Sequence, residues 1–511
     1  MLKLLISLFS ALLAFLGGGL PGRLIDPEFP TGITISPCFR VSPDGRHLAY
    51  PRTVGDKRVL VVNGVAGAAY DDIWPVCFSP DGGHLAYGAR RGREWVVVLD
   101  GRESAAYDAV GSQELRYKMV LPGFEPEALL FSPDGKRLAY KAQRDGRWLV
   151  AVDGCEGPSY EAIVPHSLVF SQDGAHLAYV AVTGGREAAV IDGREHGCYD
   201  WIEAGRIVFS PDGKHTAYAA CADGRMVVVR DGVAEPVLYA AGSRSLCFSP
   251  DGLHIAYAAA TAAGRTVFLD RAQVGGCYDM VGTPVFSPDG AHLAYKARAG
   301  HEDLVIVDGK VTQRYRREVP AESWPWHGEV WFSPDGSRVA CLQYRAGGWS
   351  VAIDGRIGKA YDSVSAPVFS PGGERFGYVA EAGARTWIVL DGHESKPGED
   401  AWGPYFSADG KRTAYILRKN GYCTAVVDGK EGMKYESASG LIFSPDSRHV
   451  AYIARQKGRD FVVVDGKKRK DYDRIVYYYY GGARIFFDNH SRLRYLACKG
   501  EAVYTVEETV K

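Results

Sequence analysis

Phe209-Ser210-Pro211-Asp212-Gly213-Lys214-His215-Thr216-Ala217-Tyr218, followed after a short polar gap by Met226-Val227-Val228-Val229-Arg230-Asp231-Gly232, is the stretch that decides the fold. Ser210-Pro211-Asp212-Gly213 reads as a tight turn: proline presets φ, the aspartate bonds locally and glycine accepts φ > 0. Residues 207–210 and 215–219 flank that turn as two strands. Ala222-Asp223-Gly224 is the next turn. Val227 to Val229 is a β-branched run with the pattern of burial on both faces, and Asp231-Gly232 is a hairpin signal. A fourth short strand, written Tyr-Asp-x-Val or Tyr-Asp-x-Ile, follows in most copies. One unit is therefore a four-stranded antiparallel meander of roughly 37–39 residues, the sequence form of a propeller blade.

The unit recurs along the chain. Ser-Pro-Asp-Gly stands at 42–45, 79–82, 132–135, 210–213, 249–252, 287–290 and 333–336, with weaker copies beginning at Ser171, Ser370, Ser407 and Ser444 and a decayed one at Phe487. The hairpin after the third strand recurs as Asn63-Gly64, Asp100-Gly101, Asp153-Gly154 and seven further Asp-Gly pairs. Twelve units with one internal grammar predict an all-β protein, a β-propeller of twelve four-stranded antiparallel repeats.

The motif Phe-Ser-Pro-Asp-Gly-x-x-Leu-Ala-Tyr resembles the signature of the WD40-like repeats in TolB-type propellers. Similar repeats occur in propellers that gate prolyl-oligopeptidase-type enzymes. The resemblance runs from about residue 33 to the end. It implies a propeller fold and a TolB-like role, binding a protein or peptide partner outside the cytoplasm. The chain departs from both patterns. TolB-like proteins carry a separate α/β domain before the propeller, for which residues 22–32 are too short. Propeller-gated hydrolases need a catalytic domain, and no Gly-x-Ser-x-Gly is present.

Composition narrows the partners. A net charge of −1 over 511 residues leaves no electrostatic footprint for nucleic acid or anionic lipid. The basic run Lys467 to Lys470 falls in a hairpin and reads as a solvated turn. At the N-terminus, Lys3, the apolar run Leu4 to Leu16 and the glycines at 17–19 read as a signal peptide over 1–21. The expected location is periplasmic or secreted, with no membrane contact beyond the export signal. An uncleaved anchor is the alternative, because Leu2 to Leu20 spans a bilayer if tilted. The ten cysteines form no C-x-x-C and read as buried free thiols, so neither a disulfide framework nor a zinc site is expected.

The ring count stays open. Rings usually have four to eight blades, so two rings of six, residues 22–270 and 271–511, are the favoured division. One ring over 22–511 is the alternative, since no linker interrupts Leu269 to Tyr278, and a seven-plus-five split is the third. The last unit has only three strands. Gly32 to Cys38 resembles a fourth-strand segment and is expected to complete that blade and hide its edge.

Three units carry insertions, at about 112–126, 316–329 and 476–482, all expected between a fourth strand and the next first strand. They bear the candidate binding residues: Tyr117, Trp324, Trp326, His327, Tyr477, Tyr478, Tyr479 and Tyr480. Aromatics on loops anchor recognition surfaces; the competing reading folds them down as a plug. The histidines His47, His84, His176, His215, His254, His292 and His449 share one repeat slot with Arg137, Arg338, Arg375 and Arg412. A metal site would not accept arginine there, so they read as packing between blades. His301-Glu302-Asp303 holds ligand types, but adjacent residues in one loop rarely converge. No catalytic residue, cofactor or metal is expected. The inner-strand positions are monotonous Phe, Val and Ile, which favours a binding propeller; the alternative is a glycan-binding or glycan-cleaving one.

Overall fold

The structure is a computed structural model that describes residues 23–26, 40–111, 129–203, 206–235, 240–241, 245–316, 329–345, 348–478, 482–483, 485–488, 492–500 and 502–510. Twelve antiparallel sheets of four strands, a to d from first to last in each repeat, follow one another as blades 1 to 12. Blade 11 shows the plan: strand a Ser437–Phe443, b Val450–Gln456, c Arg459–Val464 and d Lys467–Tyr472.

Burial explains why each strand reads as it does. Strands b and c lie between two neighbouring blades, so both of their faces are covered. Ala451, Ile453, Val462 and Val464 of blade 11 pack on blade 12, while Val450, Tyr452, Ala454, Phe461 and Val463 pack on blade 10. This is why the c strands are continuous β-branched runs. Strand d is largely exposed and polar, whereas the a strands of successive blades are neighbours. Strand a is therefore the innermost and strand d the rim.

The blades form one ring of twelve, not two of six. In two rings, blade 6 would pack on blade 1 and blade 7 on blade 12. Instead, Ala256 and Val267 of blade 6 pack against Val281, Leu293 and Tyr295 of blade 7. Leu48, Tyr50, Val59 and Val61 of blade 1 pack against Leu496, Cys498 and Val503 of blade 12. Arg494 Nη1 also donates to the Asp44 carbonyl across that junction, at 3.3 Å. The interface at the supposed boundary near Asp270 is of the same kind as every other, which is why no linker appears there.

The clasp lies earlier in the chain than expected. Arg23–Asp26 pairs antiparallel with strand c of blade 12, Ala502–Thr509, in the register Arg23↔Thr505 and Leu24↔Tyr504. It supplies the missing fourth strand; residues 32–38 lie outside the described residues.

The fourth strand itself also ends sooner than read. Tyr70, Tyr160, Tyr199 and Tyr472 close strand d, and the x-Val or x-Ile after Tyr-Asp opens strand a of the next blade. The tyrosine is fixed by an edge-on contact with the tyrosine in strand b of the next blade, as in Tyr70–Tyr87 and Tyr472–Tyr495. The acid caps the next blade's b–c turn: Asp200 accepts from Gly224 N at 3.1 Å and Asp279 from Gly300 N at 2.7 Å.

Candidate functional site

The Ser-Pro-Asp-Gly turn is built as its residues dictate. Ser210, fully buried, donates through Oγ to Asp212 Oδ1 at 2.6 Å and accepts from His215 N at 3.0 Å. Gly213 takes φ 74° and donates its N–H to the Ser210 carbonyl. The serine hydrogen bond holds the Asp134, Asp212 and Asp335 carboxyls well below the usual range, at about 2. The turns also touch one another. A Cβ on Gly82 would lie 2.8 Å from Asp44 Oδ1, and one on Gly135 would lie 2.7 Å from Asp81 Oδ1. The turn glycine is thus required twice, by its φ and by the aspartate of the blade before it.

The histidine and arginine slot joins this turn to the c–d hairpin of the same blade. His215 Nδ1 meets Asp231 Oδ2 at 2.8 Å, and Arg137 Nε donates to Asp153 Oδ2 at 3.0 Å. The other oxygen of each aspartate accepts the first N–H of strand b, as Thr216 N to Asp231 Oδ1 at 2.9 Å. The packing between blades expected for this slot is present as well: His176 stacks on Phe209 and Arg137 lies over Phe170 of the following blade. Histidine and arginine interchange because each supplies a planar donor to a carboxylate.

Two of the three insertions leave the fold nearer the axis than expected. Strand a of blade 3 is two pieces, Ala109–Val110 and Leu129–Phe131, and strand a of blade 12 is Arg474–Ile475 and Ile485–Phe487. The insertions at 112–126 and 476–482 therefore interrupt the inner strand rather than preceding it. The one at 316–329 lies between strand d of blade 7, Lys310–Arg316, and Val330–Phe332 in blade 8. Strand a is broken in other blades too, as at Trp201–Ile202 and Val208–Phe209. It is bound to a neighbouring strand on one side only, so an excursion there disturbs no ladder on the other. The sequence shows the excess length but not this break, because both halves of strand a are two or three residues long.

Tyr117, Trp324, Trp326, His327, Tyr479 and Tyr480 lie outside the described residues. Tyr477–Tyr478 forms a two-residue strand paired with Gly482–Ala483, a hairpin outside the blade sheets. The structure adds inner-strand aromatics that the repeat reading passed over: Trp402 and Tyr405 in blade 10 are 40% and 38% exposed, and Trp201 in blade 5 is 42% exposed. Trp402 shares its repeat slot with Trp74, and Tyr405 shares its slot with Trp331 and Phe486, so the repeat alone does not single them out.

Charge inside the ring is concentrated between blades 7 and 8. Lys296, buried, donates through Nζ to the Leu342 carbonyl at 2.7 Å and lies 3.7 Å from Asp303. Burial pulls its ammonium below the usual lysine range, against the pull of Asp303. Asp303 thus turns inward to lysine and arginine while Glu302 pairs with Arg314, so the two carboxylates of His301-Glu302-Asp303 diverge. No group of three potential metal ligands occurs among the described residues. The nine described cysteines are free thiols; Cys221, Cys341, Cys423 and Cys498 are buried, but Cys155, Cys198 and Cys277 are exposed on the rim, contrary to expectation. Strand d has a solvent side that strands b and c lack. Burial pushes the Cys247 thiol up to about 12 and Cys498 to about 11, which keeps both protonated and unreactive.

No protein-family model and no curated protein matches the chain. Among solved structures, a eukaryotic initiation factor is similar over 69% of this chain and 94% of its own, with 12% identity and a TM-score of 0.35. A putative TolB from Agrobacterium tumefaciens is 19% identical over 45% of this chain and 78% of its own, with a TM-score of 0.22. TolB from Acinetobacter baumannii is 13% identical over 68% of this chain and 78% of its own, also with a TM-score of 0.22. Overlaps this loose leave function to the geometry of the chain itself. By its own sheets and contacts, the chain is a twelve-bladed β-propeller closed by blade 12 packing on blade 1.

Proposed function

We propose that the chain is an exported β-propeller that acts by binding, and that it takes a protein or peptide partner on the insertions at 112–126, 316–329 and 476–482. The carrying observation is where two of these insertions depart: from the innermost strands, of blades 3 and 12. Loops rooted there on a rigid ring present side chains from several blades to one partner. The aromatic residues Tyr117, Trp324, Trp326, His327 and Tyr477 to Tyr480 are the anchors in this reading. A glycan is the second reading, favoured by the exposed inner-strand rings of Trp402 and Tyr405, which suit stacking on a sugar face. The signal segment at 1–21 supports export; among the described residues no helix is long and apolar enough to cross a membrane.

The test uses a photoreactive residue in place of His327 in the full chain, cross-linked in the exported fraction, with the captured partner then purified. Trp324→Ala with Trp326→Ala should weaken that partner by tenfold or more, about 1.4 kcal/mol per decade. The melting temperature should stay within a degree or so. A large fall in melting with affinity intact would show that the rings plug the channel instead. An alkaline phosphatase fusion after residue 40 that stays inactive in intact cells would refute export.

A further inference from the structure

Between blades 1 and 2 lies a half-open cavity of about 370 Å³ that no part of the proposed partner site uses. It lies where the repeat loses side chains. Gly83 follows the turn of blade 2, in the slot filled by Arg46, Lys136, Lys214, Lys411 and Arg448 in other copies. Gly83, unlike Gly82, is not in the left-handed region, so its turn does not require glycine. Across the cavity, Ala66 stands in the strand-d slot that blades 2, 3, 4, 9 and 10 fill with glutamate, as Glu103, which accepts from Tyr70 Oη and Arg91. Leu60, Val62 and Phe78 complete a mainly apolar lining.

The polar end differs from every sister site. The other c–d hairpins place an aspartate opposite the histidine or arginine slot; blade 1 has Asn63. Asn63 Oδ1 accepts the Leu48 N–H at 3.0 Å, so the side-chain NH₂ must face His47 Nδ1, 2.9 Å away. His47 Nδ1 is then an acceptor and the ring proton sits on Nε2. On the far wall, His84 Nδ1 is held by Asp100 Oδ2 at 2.7 Å, so the only lining carboxylate is already matched.

We propose that this cavity is a binding site for an uncharged, mainly apolar small molecule with one hydrogen-bond acceptor, which His47 Nε2–H would recognise. Its volume falls within the range of small-ligand sites. With His84 and Asp100 paired to each other, the lining offers neither an anion nor a cation an unmatched charge.

The probe is prodan, an uncharged naphthalene dye with a single ketone, titrated into the full chain and followed by its emission shift. Saturable binding at one site is expected. Gly83→Lys places in blade 2 the side chain that blades 3 and 5 already tolerate, and it should lower affinity at least tenfold with melting unchanged. Ala66→Glu introduces the strand-d residue that blades 2 and 3 carry and should do the same. Ala175→Lys, the same slot two blades on, should leave affinity unchanged. The proposal is overturned by an absence of saturable binding, by affinity that survives both cavity substitutions, by an equal loss in Ala175→Lys, or by tighter binding of the anionic dye anilinonaphthalene sulfonate.

Discussion

Ser210→Ala removes a single oxygen from a fully buried site, and blade 9 supplies the control for it. There Ser370 is equally buried and accepts from Arg375 N at 3.1 Å, but Gly372 takes the place of the aspartate. Both substitutions keep the Cβ that touches the next blade, so packing is preserved. Each leaves one backbone N–H without its acceptor, a loss of about 1 kcal/mol for a partly buried group. Ser210→Ala also removes a hydrogen bond to a carboxylate, so its total should be about 2 kcal/mol. The entropy of unfolding is about 2 cal/mol/K per residue, or about 1 kcal/mol/K for 511 residues. Calorimetry should therefore show melting lowered by about 2 °C for Ser210→Ala and about 1 °C for Ser370→Ala. Combining Ser132→Ala, Ser210→Ala and Ser287→Ala, in non-adjacent blades, should give about 6 °C, since separated sites add. The difference between the two single variants should depend on pH. Asp212 has a folded pKa of about 2 against an ordinary 3.8, so its contribution is present above 3.8 and lost as pH falls through about 2. The gap should narrow over that interval. Equal losses at neutral pH, or a gap that persists in acid, would refute the view that the serine–aspartate bond stabilises the turn.

Three further outcomes follow from the ring. Residues 22–270 alone should aggregate without a cooperative transition in differential scanning fluorimetry, because blade 6 would expose the face that packs on blade 7; a soluble, sharply melting half would contradict the single ring. A chain beginning at residue 27 rather than 22 should melt lower and form dimers by light scattering, because Ala502–Thr509 becomes an open edge. Asp308→Asn, which copies the pairing of blade 1, should lower the titration midpoint of His292 in NMR. Asp308 raises that pKa above 6.5, so the pair contributes stability below 6.5 that is lost as pH rises through the folded value.

What could be read from the chain was whatever a single unit determines. Ser-Pro-Asp-Gly and Asp-Gly fix their turns through φ and local hydrogen bonds, so twelve blades and their strand order were visible. Asp231 and Gly232 take φ 49° and 77°, as the hairpin signal requires. What depends on more than one unit was not visible. Ring number is set by how blades pack on one another, and the face that blade 6 turns to blade 7 is apolar like the others, so nothing in the sequence near Asp270 marks a join or a break. The Tyr-Asp motif was misplaced because its tyrosine and acid both act on the following blade, through Tyr199–Tyr218 and Asp200–Gly224, and short strands give no periodicity to mark their ends. Of the candidate site, the insertions and their aromatics were plain as excess length. The origin of two of them within strand a, and the cavity beside Gly83, came only from seeing which neighbours the repeat brings together.

The socket between a turn glycine and the aspartate of the blade before it bears on how such a molecule can grow. It recurs at Gly82, Gly135, Gly174, Gly213, Gly252, Gly336 and Gly373, so a unit duplicated or lost whole among these blades would meet familiar neighbours on both sides. Closure asks only that each blade take up an equal share of a full turn, one-twelfth here. Passing from twelve to eleven or thirteen changes that share by a few degrees per junction, spread over all of them. Circumference is thus a soft, heritable trait of this architecture, adjusted by copying a gene segment rather than by redesigning an interface.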